Sequence, residues 1–353
     1  MTKYAARADL AQQKLHELFW NPDINMYNIE TPCPDGSCNT IFHYWWMAHA
    51  VDVLVDGYVR TGDNEYRTTL SNLYDGLLQR NGGAWPNELY DDMEWMALAW
   101  LRAYSATGEE KYRKAVHELW EDIKTGWNDN LGGGIAWRKS QLDYKNTPAN
   151  APAIILAMHL YKAFGDSEDL EWAKKIYAWQ KNTLVDPENG FVWDGMNRTG
   201  DGMIDKHWEF TYCQGVFIGA AHELYQATGQ QSYLDDAAAT ASITIKKLTD
   251  PQTHLLPDEG NGDGGLFKGI FVRYAAGLAA DYPEQFSFVT EVLLQNAERM
   301  WNEGRDAENT LFGPAWNQTP GETVELGTQI CGVTLLEMTA KLERAGLLGN
   351  LES

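Results

Sequence analysis

The sequence feature that most constrains the fold is an alternation of two kinds of helical segment. One kind is apolar nearly all round, as in APAIILAMHLY from Ala151 and LFKGIFVRYAAGLAA from Leu266. The other is amphipathic: in EEKYRKAVHELWEDI the apolar residues Tyr112, Val116 and Leu119 recur at helical spacing. Because a helix that is apolar on every side must be buried on every side, the first kind predicts inner helices and the second predicts outer helices.

Two loop signatures separate these segments. In one, a helical run ends in a glycine, and Asp, Glu or Gln follows within a few residues, as expected of a tight helix hairpin. Four turns have this form: YVRTGDNEY, SATGEEKY, LYKAFGDSEDL and LYQATGQQSYL. Longer loops rich in Gly and Trp alternate with them, for example GGAWPN from Gly82 and GGGIAWRK from Gly132.

Together these signatures predict the fold class. About six helices of each kind, in strict alternation, favour an all-α (α/α)6 barrel, a six-hairpin toroid whose last pair closes against the first. We expect a single domain over residues 1–353. Every Gly/Trp loop runs from an outer to an inner helix, so these loops are predicted on one face. Function is concentrated in loops carried by a rigid scaffold, and the catalytic loops are therefore expected there.

Composition and charge narrow the partners. The formal net charge is −22, whereas binding to nucleic acid needs a basic face, so no nucleic-acid partner is expected. The apolar runs are interrupted too early to cross a bilayer, so no membrane partner is expected either. The first twenty residues resemble a helix and not a signal peptide, which predicts a cytoplasmic protein unless a leader has been removed. The oligomeric state stays open.

Four cysteines in a chain of 353 residues do not form a disulfide framework. Cys33 and Cys38 lie close together in CPDGSC, where they could pair or bind a metal. Two free thiols are the favoured interpretation, since no second Cys/His pair lies at ligand spacing. Cys213 and Cys331 lie in apolar helical stretches and are predicted to be buried. We expect no metal and no organic cofactor.

The predicted functional face combines indoles with carboxylates, a mixture typical of an oligosaccharide cleft. Its sharpest feature is the Asp91–Asp92 pair in NELYDDMEWMALAW, where a loop becomes an inner helix. Glycoside hydrolysis needs two carboxyl groups beside the scissile bond, and the pair could supply both. Acidic residues at a helix start also cap free N–H groups, so a purely structural role stays open. The other acidic candidates are Asp194, Asp201, Asp205, Asp258 and Asp263.

The run GGAWPNELYDDMEWMALAWLRAY from Gly82 resembles the active-site segment of glycoside hydrolase family 76, the endo-α-1,6-mannanases. Further stretches match in the same order, including GGGIAWRK, NTPAN, FTYCQGVFIGAAHELYQATG and NGDGGLFKGIFVRY. The resemblance spans most of the chain. It implies an (α/α)6 barrel that hydrolyses α-1,6-mannosidic linkages in mannan or manno-oligosaccharides with retention. Carried over, Asp91 would be the nucleophile and Asp92 the general acid/base.

Contacts to the sugar chain are predicted from the loop residues around this pair. We expect stacking by Trp85 and Trp137. Polar contacts are expected from five further residues: Tyr90, Arg138, Asn150, Tyr212 and Lys268.

Two other functions stay open. Sugar 2-epimerases share the barrel but use cleft histidines as acid and base, and the candidates are His43, His49, His159, His207 and His222. Of these, His207 is the best placed at a loop and His222 is expected to bond within the core. A non-catalytic oligosaccharide-binding protein would keep the aromatic residues but would not need both Asp91 and Asp92.

Overall fold

The structure is a computed structural model that describes residues 1–348. Twelve α-helices occupy most of these residues, in agreement with the predicted six of each kind. They are α1 Lys3–Phe19, α2 Tyr44–Thr61, α3 Asn64–Arg80, α4 Tyr90–Thr107, α5 Glu110–Lys124, α6 Ala151–Phe164, α7 Ser167–Leu184, α8 Thr211–Thr228, α9 Gln231–Leu248, α10 Gly264–Asp281, α11 Ser287–Asn302 and α12 Leu326–Arg344.

Short strands occupy the loops, which the helical patterns did not predict. They are β1 Trp20–Asn21, β2 Met26–Tyr27, β3 Glu30–Thr31, β4 Ala136–Arg138, β5 Gln141–Asn146, β6 Gly195–Met196 and β7 Val324–Glu325. β1 pairs with β2, β3 pairs with β7, and β4-β5-β6 form a three-stranded antiparallel sheet. This last sheet carries the Gly132 loop signature and so shapes the candidate site.

The chain divides into two compact units. One comprises Met1–Gly83 together with the chain from Leu248 onward, and the other comprises Ala84–Lys247. In the first unit α12 packs against α1, α2 and α10, so the last helix does lie against the first. In the second unit α6 packs against α4, α7 and α8. The expectation of a single domain over 1–353 stays a prediction.

The glycine turns between paired helices have the predicted geometry. The four C-terminal glycines take left-handed φ values of +72°, +71°, +77° and +67° at Gly62, Gly108, Gly165 and Gly229. Only glycine adopts this conformation without a steric penalty from Cβ. After two of these glycines an aspartate caps the next helix, because Asp63 accepts from the N–H of Glu65 and Asp166 accepts from that of Glu168. The turn signature is therefore confirmed.

The favoured interpretation of Cys33 and Cys38 as free thiols is wrong. Their sulfurs form a disulfide, with a Cα–Cα distance of 5.8 Å, inside the range that a disulfide spans. The Pro-Asp-Gly-Ser turn between them brings the two Cβ atoms together, and the sulfurs are thereby unable to coordinate a metal. Cys213 and Cys331 are free and buried, as predicted.

Within residues 1–348, every helix is too short or too polar to cross a bilayer. This agrees with the early interruption of every apolar run in the sequence.

Candidate active site

The N-terminus of α4 positions the two aspartates. Leu89 precedes the helix in an extended conformation and forms a β-bridge with Arg138 at the end of β4. The N–H of Lys139 donates to the carbonyl of Glu88 at 3.0 Å, which extends this pairing. The β4 strand therefore runs directly beside the first turn of α4, where Asp91 and Asp92 lie.

Asp91 is half-buried and holds two hydrogen bonds. Its Oδ1 accepts from the backbone N–H of Asp92 at 2.9 Å, and its Oδ2 accepts from the indole Nε1–H of Trp137 at 3.1 Å. The first bond is the capping role that the sequence left open. The second bond ties the carboxylate to β4, and donors to both oxygens stabilise the ionised form. Asp92 is 8% exposed.

A third carboxyl group, Glu94, lies one helical turn after Asp91. It is fully buried, and neither carboxyl oxygen has a hydrogen-bond partner of ordinary geometry among the described residues. Burial, followed by the charge of Asp91, holds the pKa of Glu94 well above its usual range, and the backbone N–H of Ala153 opposes this only in part. Burial and the neighbouring charge thus both favour the protonated form of Glu94, which lies beside the candidate nucleophile.

A cluster around Asp194 continues from Trp137 along the sheet. The ring of Trp137 contacts Tyr144 of β5 edge-on, with centroids 5.7 Å apart. The Tyr144 hydroxyl donates to Asp194 Oδ2 at 3.4 Å, and the Tyr212 hydroxyl donates to Oδ1 at 3.2 Å. Gly195 follows so closely that an added Cβ would lie 2.8 Å from the Tyr144 oxygen. Because glycine has no Cβ, Tyr144 can lie close enough to Gly195 for its hydroxyl to reach Asp194.

Burial raises the pKa of Asp194 to about 6, although hydrogen bonds from Cys213, Tyr212 and Tyr144 oppose the shift. Burial is the main cause of a pKa of Tyr212 well above its usual range, and the charges of Asp194 and Asp91 raise it further. The phenol is therefore close to both carboxyl groups. Tyr212 was predicted as a substrate contact, and the structure brings it into the same unit as Asp91 with its hydroxyl bound to Asp194.

Two buried polar side chains support the glycine-rich loop before β4. Asn150 uses its whole amide: Oδ1 accepts from the N–H of Ile135, and Nδ2 donates to the carbonyls of Ile135 and Asn146. Lys145 donates to the carbonyl of Gly134 at 2.6 Å and to Asn128 Oδ1 at 2.9 Å, while burial lowers its pKa to about 8. Asn150 was predicted to contact substrate, but its amide is fully used in bracing this loop.

Two more predicted contacts lie in the core. Trp85 is 2% exposed and packs edge-on against Trp100 with centroids 5.6 Å apart. The predicted stacking of Trp85 on a sugar is therefore wrong, because its ring has no accessible face. Tyr90 is 3% exposed, and its hydroxyl bonds to Thr125 Oγ1 at 3.2 Å. It fixes the start of α4 and does not present its hydroxyl to a ligand.

Lys268 belongs to the other unit. It is 2% exposed, with its ammonium 4.6 Å from the ring centroid of Trp316, and it donates to the carbonyls of Pro257 and Pro314. Burial lowers its pKa. The structure therefore shows Lys268 as a support for two loops of its own unit.

Arg138, which the sequence predicts as a polar contact to the sugar, lies beside Trp137. Its guanidinium lies 4.7 Å from the ring centroid of Trp137, and its Nη2 donates to Gln141 Oε1 at 3.1 Å. The side chain is half-buried, so it borders the surface beside the indole that binds Asp91.

Two of the histidines that an epimerase would use are hydrogen-bonded to side chains other than Asp91 and Asp92. His159 bonds to Glu223 at 3.0 Å and His222 to Gln226 at 3.0 Å. His49 is buried, and burial lowers its pKa to about 4. His207 is exposed. None of these observations joins a histidine to Asp91 within the Ala84–Lys247 unit.

Sequence reasoning missed Glu94 and Tyr144. Glu94 lies three residues after Asp91, and this spacing places both side chains on one helix face. Tyr144 lies in QLDYKN, a short alternating stretch that indicates a strand. The helix spacing could have indicated Glu94, and the strand pattern could have indicated Tyr144.

We expect Trp137→Phe to lower kcat by about 10- to 100-fold, the effect of losing one hydrogen bond to a charged group. The ring is retained, so KM should change little. The matched control is Trp127→Phe, since Trp127 contacts Lys175 and Trp172. An unchanged kcat in Trp137→Phe would show that this bond does not serve the reaction.

The profile of glycosyl hydrolase family 76 matches residues 3–349. A mannan endo-1,6-alpha-mannosidase of Candida albicans is 26% identical over 287 residues, which cover 72% of this chain and 63% of that protein. The chain thus matches somewhat less than two thirds of that relative's length.

Some solved structures have a higher sequence identity to this chain than that relative has. The GH76A alpha-1,6-mannanase of a Salegentibacter species is 42% identical, with a TM-score of 0.90 over 96% of this chain and 100% of that one. Its inactive variant, in which two adjacent aspartates are replaced by alanine, was solved with alpha-1,6-mannotetrose and matches with a TM-score of 0.91 and 42% identity over 97% of this chain and 100% of that chain. Structures of this family are (α/α)6 barrels, so the predicted fold class is confirmed.

Proposed function

This chain belongs to glycosyl hydrolase family 76, and we propose that it is a retaining glycoside hydrolase that cleaves α-1,6-mannosidic linkages in mannan or manno-oligosaccharides. The observation that carries the proposal is the Asp91–Asp92 pair at the start of α4, with Asp91 held by Trp137. A pair of adjacent aspartates was also removed to inactivate the Salegentibacter mannanase.

The proposed reaction proceeds in two steps. Asp91 attacks the anomeric carbon and forms a glycosyl ester, while Asp92 gives its proton to the departing glycosidic oxygen. Asp92 then removes a proton from water, which attacks the anomeric carbon and releases Asp91. Two displacements restore the original configuration, and water is the final acceptor. The Trp137 N–H orients the Asp91 carboxylate throughout.

The raised pKa of Glu94 suits this chemistry. An ionised Glu94 would add a second negative charge beside Asp91, whose own charge already raises the pKa of Glu94. A proton on Glu94 leaves the negative charge on Asp91, the group that must act as nucleophile.

The linkage is tested by incubating the protein with α-1,6-linked mannotetraose and, separately, with α-1,2- and α-1,3-linked mannotetraose, and separating the products by chromatography. We expect hydrolysis of the α-1,6-linked substrate alone. Cleavage of the other linkages at equal rates would refute the specificity, and hydrolysis of none would refute the substrate class.

We also propose that the protein functions in an oxidising compartment and not, as the sequence alone predicts, in the cytoplasm. The Cys33–Cys38 disulfide supports this, since such bonds persist mainly outside reducing compartments. Protein isolated from its natural host and denatured without reductant should show two reactive thiols, from Cys213 and Cys331. Four reactive thiols would contradict the proposal and restore the cytoplasmic assignment.

A further inference from the structure

One exposed indole in the Ala84–Lys247 unit has no role in the reaction described above. Trp208 is 39% exposed and is the aromatic residue among the six large apolar side chains that are exposed in residues 1–348. Two of the others, Leu142 at 46% and Met203 at 66%, belong to the same unit. Of these three, Trp208 is the side chain with a ring face on which a ligand could stack.

Trp208 is fixed in place. The guanidinium of Arg198 lies 4.2 Å from its ring centroid. That guanidinium is in turn held by Asp205, with Nε 3.3 Å from Oδ2 and Nη2 3.3 Å from Oδ1. The backbone N–H of Trp208 also donates to the carbonyl of Asp205 at 3.1 Å. A ring ordered before binding loses little entropy when a ligand stacks on it.

A line of aromatic rings connects Trp208 to the candidate active site. Its centroid lies 6.0 Å from that of Phe210, which lies 6.0 Å from that of Tyr212. The Tyr212 hydroxyl donates to Asp194, and the Asp91 charge raises the pKa of the same phenol. The exposed indole therefore stands two rings from a side chain of the site.

A second, polar line reaches Trp137. Gln141 Nε2 donates to the carbonyl of Arg198 at 3.3 Å, and Gln141 Oε1 accepts from Arg138 at 3.1 Å. Arg138 lies on the ring of Trp137. We call the four residues Arg138, Gln141, Arg198 and Trp208 the Trp208 rim. It presents guanidinium and amide donors between two indoles, and one of these indoles binds Asp91.

We propose that the Trp208 rim is a remote subsite that binds a mannosyl residue of the substrate chain away from the bond being cleaved. The inference rests on the proposed function. The sugar stacks its C–H face on Trp208, and its hydroxyls accept hydrogen bonds from Arg138 and Arg198. A polymer whose reacting unit lies beside Trp137 meets the rim only if it is several units long, so this subsite selects chain length.

The chemistry of the surface favours a sugar over a protein partner. Leu142 and Met203 are also exposed in this unit, but the residues that connect Trp137 to Trp208 are the polar Arg138, Gln141 and Arg198. Alternating indole faces and fixed polar groups match a sugar ring, which has an apolar face and a polar edge. The continuity with Trp137 also joins the rim to the catalytic pair, as a substrate chain requires.

The test compares wild type with Trp208→Ala and Trp208→Phe on α-1,6-linked manno-oligosaccharides of increasing length. We expect Trp208→Ala to raise KM about tenfold for the longest substrates, a typical effect of losing one stacking ring. The shortest cleaved substrate should keep its KM, and kcat should be unchanged. Trp208→Phe should restore most of the affinity because it keeps a ring. The matched control is Trp172→Ala, a partly exposed indole on α7 outside the rim.

Equal KM changes at every length, or none at all, would overturn the subsite. Hydrolysis by wild type is measured first and decides the proposed function separately. If wild type cleaves no α-1,6 linkage, the proposed function fails, and mannotetraose binding to wild type and Trp208→Ala by titration calorimetry then decides the rim. Identical affinities in that titration, including no binding to either protein, would overturn it.

Discussion

Asp91→Asn and Asp92→Asn should each reduce kcat on α-1,6-linked mannotetraose by about a thousandfold or more, with the fold intact. A positioned acid or base contributes about 10²- to 10⁴-fold, and the nucleophile is needed for either displacement to occur. Asparagine keeps the size of the side chain and can still cap the helix, so circular dichroism and the unfolding midpoint should change little.

The two variants should differ on a substrate with an activated leaving group, such as an aryl mannoside. The departure of such a group needs no proton, so Asp92→Asn should still release it in a first burst while Asp91→Asn should not. Asp235→Asn, an exposed aspartate of α9, is the control and should keep full activity. If Asp91→Asn or Asp92→Asn kept most of the activity, the two aspartates would serve only to cap the helix and would not be the catalytic pair.

Glu94→Gln should be more stable than wild type at neutral and alkaline pH, by an amount that grows with pH. The pKa of Glu94 is raised above its ordinary value of 4.5 by burial and by Asp91. The folded protein thus keeps a proton that the unfolded chain releases. Its contribution to stability is full below about pH 4.5 and is lost as pH rises towards the folded pKa. The loss is about 1.4 kcal/mol for each unit of the shift, and glutamine does not titrate.

The measurement is the free energy of unfolding by denaturant at a series of pH values. Glu298→Gln should change the free energy of unfolding in the opposite direction. Burial raises the pKa of Glu298, but hydrogen bonds from Arg7, Tyr4 and Lys3 outweigh burial and lower this pKa to about 2. That substitution should destabilise the protein at neutral pH. If Glu94→Gln were less stable than wild type and followed the same pH dependence, Glu94 would be ionised in the folded protein, contrary to our description.

The fold could be predicted because its determinants are local. Apolar residues on nearly every side identified α6 and α10 as inner helices, and a glycine with positive φ ends four helices at the predicted turns. The Asp91–Asp92 pair was also visible, since two carboxylates at a loop-to-helix junction are a local pattern. What an isolated residue does in the barrel loops depends on distant neighbours instead.

Trp85 and Trp137 illustrate this difference. Both follow glycine-rich stretches, and the sequence assigned both to sugar stacking. Trp85 meets Trp100 and is buried, whereas pairing of β4 beside Leu89 brings the Trp137 N–H to Asp91. That pairing joins residues nearly fifty positions apart, so neither periodicity nor composition can predict it. The disulfide was misjudged for a related reason: the spacing of Cys33 and Cys38 allows a bond, but only the loop conformation decides it.

The most direct test of the central claim is the anomeric configuration of the first product. Wild-type protein is mixed with α-1,6-linked mannotetraose in deuterated buffer, and the anomeric protons are followed by NMR before mutarotation equilibrates them. The Asp91–Asp92 double displacement predicts that the α-anomer appears first, and that no product forms with Asp91→Asn. Initial release of the β-anomer would contradict it, because a single displacement by water would then replace the covalent step on Asp91.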